Sequence, residues 1–212
     1  MRKTLHYVFD PLCGWCYGAS GLLGALAEMP ELVLELHPSG LFAGEGARPM
    51  DEGFATYAWA NDQRIERLTG QQFSQRYRTE VLGARGRLFD SGPATVALTA
   101  VWRTAPEHEA QALQALQRAR YVDGRDVTDP AVLSALLMSL GLPAAAQQLQ
   151  AADAGLLQDT QARIARARDL MRQVGVQGVP AIVLERRGSH EVLSANGFYH
   201  DPRAFLDRLA AA

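Results

Sequence analysis

The chain holds two cysteines, three positions apart, in Asp10-Pro11-Leu12-Cys13-Gly14-Trp15-Cys16-Tyr17-Gly18. Thiols at that spacing can close a disulfide within one turn of backbone. The attacking form in disulfide exchange is the thiolate. A helix N-terminus, with its orphan N–H groups and positive dipole end, favours that anion. The sequence supplies such a terminus. Leu5 to Phe9 reads as a short strand, and Tyr17 to Met29 carries Leu22, Leu23, Leu26 and Met29 at helical spacing. A strand running into a helix with Cys-x-x-Cys at the junction reads as a thioredoxin-like redox site. Cys13, at the helix start, is expected to attack and carry the mixed disulfide. Cys16, one turn inward and more buried, is expected to resolve it. Gly14 and Trp15 hold the spacing and tune the potential. Neither brings a positive charge, so the helix terminus must stabilise the anion.

A second motif sits far along the chain. Gly175-Val176-Gln177-Gly178 forms a tight loop, and Val179-Pro180 opens the strand after it. That is a natural place for a cis X-Pro bond, a rare conformation that usually has a structural job. Set against the two sulfurs, Pro180 would leave the Val179 backbone free to pair with an extended substrate by β-augmentation. Gly14, Trp15, Val179 and Pro180 are therefore the expected substrate-binding residues.

The elements that must position these motifs follow from periodicity. Leu32 to His37 is a second strand. From about Arg48 to Gln150 strand signals vanish, and helices are expected at 52–68, 71–82, from Ser91, at 107–121, from Thr128-Asp129-Pro130 and after Pro143. Gly155 to Val174 is another amphipathic helix. Ala181 to Glu185 and Glu191 to Ser194 form a hairpin around Arg187-Gly188-Ser189, and Asp201-Pro202 caps a last helix. The order is βαβ, a helical block, then αββα. The expected sheet is mixed, with the first two strands parallel and the last two antiparallel. Gly18, Gly21 and Gly24 weaken the first helix by about 1 kcal/mol each relative to alanine, so that helix is expected to lie close against the sheet. Trp59 and Trp102 read as core of the helical block. Arg163, Arg166, Arg168 and Arg172 read as a solvated face, Asp10 as a turn cap and His37 as a strand-end residue.

Bulk properties narrow the function. With 212 residues there is room for one large domain or a domain carrying an insertion. The net charge is -2, with both signs scattered, which argues against nucleic acid and against an anionic membrane surface. No apolar run is long enough to span a bilayer. Met1-Arg2-Lys3 is not followed by an apolar signal segment. The expected location is the cytoplasm, where a dithiol is more often catalytic than structural.

The pattern resembles the DsbA-like branch of the thioredoxin superfamily, most closely its FrnE-like thiol–disulfide oxidoreductases. The resemblance rests on the cysteine motif, on His37-Pro38-Ser39-Gly40-Leu41-Phe42, on Tyr121-Val122-Asp123-Gly124-Arg125-Asp126-Val127-Thr128-Asp129-Pro130 and on Gly178-Val179-Pro180, and it spans essentially the whole chain. It implies an α/β thioredoxin-like mixed sheet with a mostly helical insertion. The core would comprise residues 1–45 with 155–212, and the insertion residues 46–154, overhanging Cys13 with Pro180 opposite. It maps the family's nucleophilic cysteine to Cys13, its resolving cysteine to Cys16 and its cis-proline to Pro180. One departure is the Gly14-Trp15 dipeptide, where the periplasmic oxidant has Pro-His, so strong oxidising power is not implied.

The expected reaction is thiol–disulfide exchange with protein or small-molecule substrates, glutathione among the co-substrates, in the reductase or isomerase direction. It needs no metal and no tightly bound organic cofactor. A structural zinc site would need four ligands, and the chain has no second cysteine pair. Two other classes compete. Glutathione-dependent kappa-class transferases and isomerases share the architecture but typically have serine where Cys13 stands. A redox-sensing binding module would use the disulfide as a switch without turnover. Oligomeric state is not legible from the sequence.

Overall fold

The protein was analysed as a computed structural model that describes residues 3–211. A four-stranded mixed sheet runs in the order β2-β1-β5-β6, built from β1 (Lys3–Phe9), β2 (Leu32–Pro38), β5 (Ala181–Arg186) and β6 (Ser189–Leu193). β1 pairs parallel with β2 and antiparallel with β5, and β5–β6 is the antiparallel hairpin. A parallel pair requires a crossover. Here it is made by two short helices, α1 (Gly14–Gly18) and α2 (Ser20–Ala27).

Strand alternation sends the two faces of β1 to different partners. Leu5, Tyr7 and Phe9 join the main core with Leu22, Leu23 and Leu26 of α2. Phe205 and Leu209 of α11 (Pro202–Ala211) belong to the same core. Val8 faces the other way and packs with Ala181 and Val183 against Ala167 and Leu170 of α9 (Ala154–Gln173).

Between β2 and α9 lies the helical block. A two-stranded ladder of β3 (Arg48–Pro49) and β4 (Leu88–Phe89) frames α3 (Glu52–Thr69) and α4 (Gln75–Tyr77). Then follow α5 (Gly92–Thr104), α6 (Glu109–Tyr121), α7 (Pro130–Ser139) and α8 (Pro143–Ala151). The starts are chemically marked. Asp51, Asp129 and Asp153 each accept a backbone N–H in the first turn of α3, α7 and α9, and Pro93, Pro130 and Pro143 occupy first-turn positions.

Several expectations need correction. The single helix expected to start at the cysteine motif and run to Met29 breaks at Ala19 into α1 and α2. Its glycines meet other helices and loops, not the sheet. A Cβ on Gly18 would lie 2.6 Å from Ile65 Cγ2 on α3, and those on Gly21 and Gly24 would approach Gln71 and Gln114. The segment 71–82 is the short α4 followed by a π-turn at Arg78–Leu82. The strand pair β3–β4 and the helix α10 (Ala195–His200) carry too few residues for periodicity to show them. Trp102 is 39 % exposed, not core; Arg163 and Arg166 stack over its ring at 5.1 and 6.0 Å. Arg163 is itself buried, because its guanidinium pairs with buried Glu109 at 2.5 Å and donates to the Leu36 carbonyl at 2.9 Å. Arg168 donates to the Ser39 and Gly40 carbonyls. Arg163 and Arg168 of the expected solvated face therefore dock α9 onto β2 and the loop after it, while Arg166 and Arg172 stay exposed.

Candidate active site

The site begins with the turn that leaves β1. Asp10 is fully buried. Its Oδ1 accepts the Leu12 N–H at 2.9 Å, and its Oδ2 accepts the Phe42 N–H at 3.1 Å and the Ser91 hydroxyl at 2.7 Å. One carboxylate thus ties the cysteine turn, the loop after β2 and the start of α5 together, a larger role than a turn cap. Burial raises its pKa, and the hydrogen bonds from Ser91 and the backbone act against that rise.

Cys13 is the N-cap residue of α1, with extended backbone (φ -82°, ψ 119°). Its carbonyl accepts the Tyr17 N–H at 3.0 Å, the first helical bond. Both cysteines are free thiols. They differ in access. Cys13 keeps 7 % of its surface and Cys16 none. Burial pushes the Cys16 thiol well above its ordinary range, and the neighbouring Cys13 adds to the rise.

Opposite stands the Val179-Pro180 peptide, which is cis. The Cys13 thiol points at the Val179 carbonyl oxygen, 3.7 Å away. The structure therefore brings Cys13, Cys16, Gly14, Trp15, Val179 and Pro180 to one place.

The helical block braces this turn with residues that sequence reasoning did not single out. Asp62 of α3 lies so close to Gly14 that a Cβ there would stand 2.5 Å from its Oδ1. A side chain at position 14 would have to displace the Asp62 carboxylate and crowd Ile65. Asp62 is buried, accepts the Tyr77 hydroxyl at 3.0 Å, and has its pKa raised to about 7 by burial. Behind it Arg120, 1 % exposed, sits over the rings of Tyr77, Tyr121 and Phe89 at 5.2–5.7 Å. The Tyr121 hydroxyl donates to the Leu12 carbonyl at 2.7 Å, and the Tyr121 ring stacks on Tyr17. Tyr7 donates to the Cys16 carbonyl at 3.2 Å. Trp15 is half-buried: Tyr199 donates to its carbonyl at 2.7 Å and meets its ring edge-on, and Arg64 lies 5.8 Å from its centroid. The one sequence signal for these braces was the Tyr121–Pro130 motif; nothing in α3 marked Asp62.

The DSBA-like thioredoxin domain model matches residues 4–199. The chain belongs to that family. Among solved structures it is similar to the cytosolic disulfide reductase DsbM from Pseudomonas aeruginosa, with 38 % identity, a TM-score of 0.87, and 99 % of this chain and 100 % of that one covered. The same protein with GSH matches at 36 % identity and a TM-score of 0.86, with 99 % and 100 % covered. A proposed protein disulfide isomerase from Nitrosomonas europaea shares the fold at 22 % identity and a TM-score of 0.75, with 98 % and 99 % covered. The comparison with curated proteins gives no significant match. Family, fold and dithiol agree on thiol–disulfide oxidoreductase chemistry. No described helix is long and apolar enough to cross a membrane.

Proposed function

We propose that the protein is a glutathione-linked disulfide reductase of the cytoplasm, with Cys13 as attacking and Cys16 as resolving thiol. The observation that carries the assignment is their asymmetry: Cys13 caps the helix and keeps 7 % of its surface open, while Cys16, inside the first turn, keeps none. In the reductive half-reaction the Cys13 thiolate attacks one sulfur of a substrate disulfide. A Cys13–substrate disulfide forms and the other substrate sulfur leaves as a thiolate. The Cys13 charge, which raised the Cys16 pKa, is thereby removed, so Cys16 loses its proton more easily. It attacks the Cys13 sulfur, expels the second substrate thiolate and leaves the Cys13–Cys16 disulfide. Two glutathione thiols reverse this: the first attacks Cys13, and the second attacks that mixed disulfide to give oxidised glutathione and reduced enzyme. Val179 and Pro180 supply the wall against which an extended substrate or glutathione lies, and Gly14 and Trp15 the floor. On this reading residues 1–45 and 155–212 form the thioredoxin-like part and 46–154 the helical part that roofs it.

The support for glutathione is the DsbM structure described with GSH, and the cytosolic reductase named for that relative favours this direction and place. The kappa-class alternative is disfavoured because both thiols are present. The test is glutathione-driven reduction of a protein disulfide, coupled to glutathione reductase. Turnover is expected, with loss in Cys13→Ser. A Cys13–Cys16 couple equilibrating at about -120 mV, the range of a strong oxidant, would overturn the reductive reading.

A further inference from the structure

A second group of chemistry-bearing side chains lies on the sheet face that α9 covers farther along. His6 of β1, Glu35 and His37 of β2, Glu185 of β5 and His190 of β6 converge there from four adjacent strands. The register explains it: His6 pairs with Glu35, and Glu185 pairs with both Thr4 and His190. His6 is 8 % exposed.

Three of the five place their donor atoms at the corners of a small triangle. His6 Nδ1 lies 3.0 Å from His37 Nε2 and 3.3 Å from Glu35 Oε2, and His37 Nε2 lies 3.4 Å from the same oxygen. A zinc ion with bonds of about 2.0–2.1 Å spaces its tetrahedral donors by about 3.3–3.4 Å. The other ring nitrogen of His6 faces Glu185 Oε2 at 3.0 Å. A neutral His6 donates its proton there and turns its Nδ1 lone pair into the triangle. His6 Nδ1 and Glu35 Oε2 then both turn lone pairs toward His37 Nε2, which in one tautomer carries a proton shared between them and in the other leaves three lone pairs converging on one point. A carboxylate behind a histidine is also how metal-binding imidazoles are held in one tautomer. Glu35 and His37 line a cleft of about 580 Å³, which gives an entry path and an open fourth position. Two arginines line that cleft: Arg163, already paired with Glu109, and the exposed Arg166, which lies over the Trp102 ring.

We propose that His6 Nδ1, His37 Nε2 and Glu35 Oε2 form a binding site for a divalent transition-metal ion, with zinc the best fit and Glu185 the outer carboxylate that orients His6. His37 takes the tautomer with its proton on Nδ1, so both imidazoles offer a free lone pair in their neutral form and Glu35 supplies the negative charge. The site stands apart from the dithiol chemistry, and an occupied site would clamp β1 to β2.

The test uses untagged full-length protein with Cys13 and Cys16 oxidised, so that no thiolate competes for metal. After chelator treatment it is dialysed against zinc chloride, the bound ion is counted by mass spectrometry, and cobalt(II) serves as the spectroscopic probe. One ion per chain is expected, with tetrahedral cobalt bands and no thiolate charge-transfer band. Glu35→Gln and His37→Ala should each weaken zinc by about 100-fold, and Glu185→Gln by about 10- to 100-fold. His190→Ala should leave the affinity within about threefold, since its Nε2 lies 3.9 Å from Glu185 Oε2 and outside the triangle. Should His37→Ala fail to fold, the half-exposed Glu35→Gln decides. Failure to retain stoichiometric zinc overturns the proposal, as does binding that Glu35→Gln leaves unchanged or that His190→Ala abolishes.

Discussion

At the scale of single residues, two neighbouring thiols are made unequal by what surrounds them. Cys16, within α1, is fully buried and its thiol is pushed up, whereas Cys13 stands at the helix cap facing Val179. Alkylation of Cys16→Ser should therefore proceed at native pH, while Cys13→Ser should react only at the rate of local opening. Comparison of the two rates by mass spectrometry checks this; comparable rates would remove the asymmetry. The second residue of interest is Asp62. Its folded pKa is about 7, above the ordinary aspartate value, because burial disfavours its charge. The folded state therefore holds the proton more tightly than the unfolded chain. Its contribution is most favourable at low pH and declines as pH rises toward 7, by about 2 kcal/mol between pH 5.5 and pH 8. Asp62→Asn removes this ionisation, so its stability relative to the parent should improve by about that amount over the same interval. Denaturant unfolding at the two pH values measures it; parallel curves would show that Asp62 is ionised in the fold without cost. The cysteine motif was legible because its chemistry needs fixed types at a fixed spacing. Asp62 was not, because an acid on an otherwise polar helix looks like any solvated residue until its neighbours are placed.

At the scale of elements, the junction of α1 with α3 decides how the motif is held. Of the glycines in the first helical stretch only Gly18 makes the tight approach expected, and it meets α3 instead of the sheet, since no sequence rule says which element crosses which. Gly18→Ala would improve helix propensity by about 1 kcal/mol in isolation. Here its Cβ meets the branched, stiff side chain of Ile65 at 2.6 Å. Net destabilisation of about 1–3 kcal/mol is expected. Combining it with Ile65→Ala, which removes the clashing methyl, should cost less than the two single changes summed. Additivity in the thermal-unfolding cycle would show that α1 and α3 are not in tight contact there. Strong periodicity and capping made α3, α5–α9 and the sheet legible within one to three residues. The break at Ala19, the π-turn at Arg78–Leu82 and the β3–β4 ladder have no periodic signal; tertiary packing sets them.

At the scale of the whole molecule, the helical block and the sheet are locked by a buried ion pair. Arg163 of α9 reaches Glu109 of α6, Thr99 of α5 and the Leu36 carbonyl of β2. Such a pair is weak evidence for net stability, but breaking it leaves an uncompensated buried charge. Arg163→Ala should destabilise by about 3–5 kcal/mol, and adding Glu109→Leu should recover part of the loss. Equal instability of single and double variants in denaturant unfolding would contradict that account. The sequence showed α9 as amphipathic, yet an arginine at its apolar margin cannot be told from a solvated one until a carboxylate 54 positions away comes beside it.

The central claim is that one sulfur attacks and the other resolves. It is tested most directly by exposing reduced Cys16→Ser and Cys13→Ser proteins to oxidised glutathione, quenching with acid, and mapping the adducts by peptide mass spectrometry. The account predicts rapid, stoichiometric glutathione on Cys13 in the first protein and little on Cys16 in the second, while the parent chain passes to a Cys13–Cys16 disulfide. Preferential glutathionylation of Cys16, or a parent chain that keeps glutathione on Cys13 without closing the disulfide, would contradict it.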